Sequence, residues 1–174
     1  LTFNITGNTN SGLFSSGPSV NGANGNLTFT PAANANGTAT ITLELQDDGG
    51  TANGGDDTSV SATFVINITA VNDVPSFTVG ADETILEGAG AQSVTSWVSV
   101  LSPGPADESG QSLSFTITGN TNPGMFSVAP AVAANGTLTY TATAGANGSA
   151  TISLTISDNG GTANGGVDTS AAQS

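Results

Sequence analysis

The side chains of this sequence that could do chemistry are almost all of one kind. Thirteen are Asp or Glu while Lys, Arg, His and Cys are absent, which gives a formal net charge of -13. No carboxylate can pair with a cationic side chain of its own chain, so each must be hydrated, hydrogen-bonded or neutralised from outside. Ser-His-Asp and Cys-His arrangements lack their base, Schiff-base lysines are missing, and phosphoryl transfer has no cationic clamp. Zinc sites built from His or Cys are excluded. Nucleic acid and anionic membrane surfaces are both poor partners for a chain without Lys or Arg. What remains is oxygen coordination of a hard cation, calcium before magnesium. Paired acids could in principle form a glycosidase or aspartic-protease dyad. Here they lie in repeated turns without His or cationic support, so the chain is expected not to be an enzyme.

The acids are grouped with glycines. Asp47-Asp48-Gly-Gly-Thr-Ala-Asn53-Gly-Gly-Asp56-Asp57 is matched by Asp158-Asn159-Gly-Gly-Thr-Ala-Asn164-Gly-Gly-Val167-Asp168. Two readings stay open: a solvated hairpin whose Asp residues cap its turns, or a loop that offers oxygens to a metal. Asp47 and Asp158, common to both versions, are the better candidates for the second.

That pairing is part of a duplication. Residues 1–20 match residues 113–132 at 13 of 20 positions, and 24–63 match 135–174 at 24 of 40. The unit is about 112 residues, so residues 1–74 read as the C-terminal two-thirds of one repeat and 75–174 as a second repeat lacking its last strand. Neither copy is whole, and the expectation is an internal piece of something longer, with neighbouring repeats or strands from another chain completing the sheets.

The elements that must position the acids are strands. Leu1, Phe3 and Ile5 alternate with polar residues, as do Ala39, Ile41, Leu43 and Leu45, and Phe64, Ile66 and Ile68. This is the period of a half-buried strand. Asn-Gly and Gly-Gly turn signals separate the runs, among them Asn24-Gly25, Asn36-Gly37 and Asn135-Gly136. About seven strands per unit with no helical window predict an all-β, antiparallel Greek-key β-sandwich. Trp97 is the expected aromatic anchor of its core.

With these residues in place, the chain resembles the cadherin-like, Ig-like tandem repeats of large bacterial surface and secreted proteins of the adhesin type. The resemblance rests on Asn72-Asp73-Val74-Pro75 at the repeat boundary, Glu87-Gly88-Ala89-Gly90 near the unit start, Ala106-Asp107-Glu108-Ser109-Gly110 before a strand, and the Asp47 and Asp158 turns. It implies calcium at the junctions between domains, with Asn72 and Asp73 as linker ligands and Asp107 and Asp158 as loop ligands. Asp47 would serve a preceding junction and Glu87 a following one. The family's acidic cluster before the penultimate strand is here Pro31-Ala32-Ala33-Asn34, and its flanking linker ligands are Ala70 and Val74. With so few donors, backbone carbonyls and water must fill the shell, and the affinity implied is on the order of 10⁻⁴ to 10⁻³ M.

The function expected from the resemblance is a structural repeat: a calcium-stiffened stalk or fibre on an extracellular or cell-surface protein, with neighbouring repeats as its partners. Two other readings compete. The unfinished copies could assemble head to tail by strand exchange into a filament, or the repeat could itself grip a glycan or a cell surface, against which stands the single Trp and single Tyr.

Overall fold

The computed structural model describes residues 1–174. It is all-β, with twelve strands joined by turns and short 3-10 segments. The chain divides into two compact units, Leu1–Ala70 and Val71–Ser174.

Unit 1 has five strands: β1 (Thr2–Asn8), β2 (Phe14–Val20), β3 (Leu27–Pro31), β4 (Gly37–Gln46) and β5 (Ala62–Ile68). β4 lies between β1 and β5 in an antiparallel sheet, and β2 pairs with β3. The alternation within β4 decides its faces: Ala39 and Ile41 are fully buried while Thr38 is exposed. They join Leu13, Phe14 and Ile66 in one core, flanked by Ile5, Phe64 and Ile68. Burial of each large aliphatic stabilises the unit by about 1.5–3 kcal/mol.

Unit 2 has seven: β6 (Ser76–Thr78), β7 (Ala91–Val94), β8 (Ser99–Ser102), β9 (Ser114–Asn120), β10 (Phe126–Val132), β11 (Leu138–Ala142) and β12 (Ile152–Ser157). β11 is paired on one side by β10 and on the other by β7, β9 pairs with β12, and β6 with β8. Phe77, Val98, Leu154 and Ile156 form the buried centre, with Leu101, Phe115, Ile117 and Val132 packed around it. Strands of all three sheets thus share one core, the layered arrangement of an Ig-like β-sandwich. Trp97 is half-buried at the edge of this cluster, and its indole N–H donates to the Ala81 carbonyl at 3.0 Å. Gly80 lies so close beneath the Trp97 ring that any side chain there would overlap it.

Both units contain the same irregularity. On β1 the partners run Ile5 with Leu43 and then Gly7 with Thr42, so Thr6 is an extra residue. On β9 they run Ile117 with Leu154 and then Gly119 with Ser153, so Thr118 is extra. A one-residue bulge exchanges the two sides of a strand. Asn8 and Asn120 are thereby paired with the apolar Ile41 and Ile152. There each side-chain carbonyl accepts the N–H two residues on, Asn10 or Asn122, at 2.9 Å, which turns the chain out of the strand.

Candidate functional site

The densest polar cluster lies where the linker enters unit 2. Val71–Val74 lies outside the strands, and Pro75, which is buried, immediately precedes β6. Asn72 occupies a notch of the loop that follows β12. Its side-chain N–H groups donate to Asp158 Oδ1 at 3.0 Å and to the Val167 carbonyl at 2.9 Å, and its Oδ1 accepts from Gln111 Nε2 at 2.8 Å. The Val167 N–H returns a bond to the Asn72 carbonyl at 3.0 Å. Every polar group of this amide is therefore used, and its orientation follows from its partners. The notch exists because two of its walls are glycine: a Cβ at Gly160 would overlap the Asn72 side chain, and one at Gly166 would press against its Cβ and main-chain nitrogen.

Asp73 is held through its main chain. Its N–H donates to Glu108 Oε1 at 2.8 Å. Glu108 ends a single 3-10 turn, Ala106–Glu108, closed by its own N–H on the Pro105 carbonyl at 3.0 Å. The turn points Asp107 outward and Glu108 inward; Glu108 is the one buried charged residue, 6% exposed. Space for it comes from Gly104, whose φ of +154° suits only glycine and whose Cβ would overlap Glu108 Oε2.

Three buried oxygens in this cradle have no hydrogen-bond donor: Glu108 Oε2, Asp158 Oδ2 and Gln111 Oε1. Asp158 and Gln111 hold Asn72, and Glu108 holds Asp73, so all three belong to residues that grip the same dipeptide. Desolvated oxygens left without a donor cost about 1–3 kcal/mol each, more for a carboxylate. They are hard donors of the kind calcium takes, so their chemistry fits that ion. They include only two carboxylates, and no group of three or more acidic, His or Cys side chains is placed to share a metal. Backbone and water oxygens would have to complete any shell.

The structure brings Asn72, Asp73 and Asp158 into one cradle, with Asp107 on its outer side. Glu87 is exposed in the loop before β7. Asp47 belongs to unit 1, where its Oδ1 accepts the Gly49 N–H at 2.7 Å, the same turn that Asp158 makes with Gly160 at 2.9 Å. Sequence reasoning missed Glu108 and Gln111. The only signal for Glu108 is the sequence Gly104-Pro105-Ala-Asp-Glu, in which a glycine and a proline prepare a tight turn, but it does not say which of the adjacent acids faces in, and nothing marks Gln111.

Away from the cradle, Tyr140 on β11 is 8% exposed and stacks edge-on with Phe126, ring centroids 5.9 Å apart. Burial raises the pKa of its phenol above the ordinary 10.0, and the Glu83 carboxylate adds to the shift.

A family model described as Bacterial Ig domain matches residues 72–170. No curated protein and no solved structure matches the chain. The match opens at Asn72, the residue seated in the notch, and spans the seven strands of unit 2; the chain belongs to the bacterial Ig domain family.

Proposed function

We propose that the chain is a non-catalytic structural repeat of an extracellular or cell-surface bacterial protein, and that its linker cradle takes calcium to fix the direction in which the linker leaves unit 2. Bacterial Ig domains commonly serve as surface structural or adhesion modules, and the composition leaves the chain no cationic or thiol chemistry of its own. The observation that carries the cation reading is the trio of buried undonated oxygens on Glu108, Asp158 and Gln111. A dication there would supply what no side chain of this protein can, positive charge beside a buried carboxylate. Asn72 is already fastened by hydrogen bonds, so calcium would tighten an existing joint instead of creating one.

Thermal unfolding with calcium or with chelator tests this. At about 10 mM calcium and a Kd of about 1 mM, mass action stabilises unit 2 by about 1.4 kcal/mol. The gain should vanish in Glu108→Gln and Asp158→Asn. Identical melting of the parent protein with calcium and with chelator would defeat the cation reading and leave the structural one standing.

A further inference from the structure

Tension in a repeat protein enters each domain through its linker. In unit 2 the first strand after the linker is a poor holding point. β6 is three residues long and faces β8 through Ser76 opposite Ser102 and Thr78 opposite Ser99, with a register shift between them. A short strand pulled from its end loses such pairs one after another. Before tension can reach Ser76 it must pass Asn72 and Asp73.

These two residues are tied to three other parts of the unit. Asn72 is bonded to Asp158 and Val167, 86 and 95 positions further on, and to Gln111, 39 positions on. The Asp73 N–H is bonded to Glu108, 35 positions on. Two of these bonds end on carboxylates, which makes them roughly twice as strong as bonds between neutral groups. Because all of them start from adjacent residues, a pull on Val71 loads them together. Asp158 passes the load on. It directly follows β12, whose Leu154 and Ile156 are fully buried and which pairs with β9 from Ile152 opposite Asn120 to Ser157 opposite Ser114. The linker therefore hangs from a deeply buried strand and not from the short one it leads into.

We infer that Asn72 and Asp73 form a mechanical latch that shields β6 from peeling when the chain is stretched. The latch has to open before β6 is loaded, and its resistance is kinetic, since forced unfolding follows the unfolding rate. It rests on the structural-repeat reading only in that such a chain is held at both ends, and it needs no bound cation.

The test is single-molecule stretching of the whole protein in chelator. The chain has no Cys, so attachment points can be introduced singly, and Ala70, Ser76 and Ser174 are all exposed. Pulling between Ala70→Cys and Ser174→Cys sends tension across the latch; pulling between Ser76→Cys and Ser174→Cys sends it in beyond the latch. At one constant force, unit 2 should unfold about tenfold faster or more through residue 76. Asn72→Ala should bring the two rates to within about threefold of each other, whereas loss of a merely stabilising contact would speed both alike and leave their ratio standing. Equal rates in the parent overturn the latch, and this comparison needs no substitution within it. A ratio that Asn72→Ala leaves unchanged also overturns it and moves the load to the buried Pro75. Because calcium is withheld throughout, either failure leaves the cation reading untouched.

Discussion

Asn72 and Asp158 are 86 positions apart in the chain and 3.0 Å apart in the structure. This one bond joins the start of unit 2 to the turn that follows its β12 strand, so the linker is pinned to the far end of the sequence it introduces. The donor is the amide nitrogen, and the adjoining Val167 carbonyl and Gln111 amide complete the socket. Asn is suited to this position because it donates twice and accepts once in a space that two glycines keep open.

Replacing Asn72 by Ala should therefore destabilise unit 2 by about 1–3 kcal/mol, since Asp158, Val167 and Gln111 each lose a partner. Asn72→Asp keeps the shape but sets one carboxylate against another, and should cost more than Ala at low salt. Urea unfolding of the two variants compares them; an Asn72→Asp protein as stable as the parent would refute this reading of the socket.

Gly104→Ala introduces a side chain at φ +154° and onto Glu108 Oε2 together. A loss of about 2 kcal/mol or more is expected. In a Glu108→Ala background the overlap disappears and only the backbone term remains, so the two substitutions should be clearly less than additive. Full additivity in a double-mutant cycle would show that Gly104 does not make room for the carboxylate.

Tyr140 gives the protein an alkaline weakness. Its folded-state pKa is raised above 10.0, chiefly by burial and secondarily by Glu83. The unfolded chain therefore gives up this proton first. The associated stability is fully present below pH 10 and is lost as pH climbs through the folded value. Denaturant unfolding of Tyr140→Phe across that range should lack this part of the decline; parallel curves for parent and variant would exclude the phenol as its source.

Core and surface aliphatics should separate cleanly. Leu154→Ala and Ile156→Ala, both buried to within 1% exposure, should each cost about 2–5 kcal/mol. Val65→Ala on β5, 61% exposed, should stay within about 0.5 kcal/mol. Equilibrium unfolding decides, and a costly Val65→Ala would mean that its face is covered in solution.

The sandwich was readable because its strands obey a simple period: Ala39 and Ile41 inside, Thr38 and Thr40 between them, turn residues at the ends. Seven strands in unit 2 and the bacterial Ig domain match agree with that pattern. The cradle was only half readable. Asn72, Asp73 and Asp158 were visible as polar residues at a repeat boundary, but no periodic rule governs a single 3-10 turn, so Asp107 and Glu108 could not be told apart until the direction of that turn was known. Gln111 was invisible for a different reason: it is an uncharged amide whose importance comes entirely from lying against Asn72. Trp97 was expected as a core anchor and is instead a half-buried lid over Gly80, its size better suited to the margin than to the centre, which Leu154, Ile156 and Val98 fill.

The bulges at Thr6 and Thr118 mean that duplication copied a defect along with the design. An uninterrupted alternation would carry the inward side from Ile5 to Gly7 and Thr9 and turn Asn8 to the opposite face. With one supernumerary threonine the parity flips at the last moment, and an asparagine arrives just where the ribbon has to turn. Anyone splicing further copies of this repeat into an artificial array should treat that threonine as part of the grammar: deleting it would leave Gly7 against Thr42 and Asn8 against Ile41 but would remove the local bend that an extra residue puts into the strand.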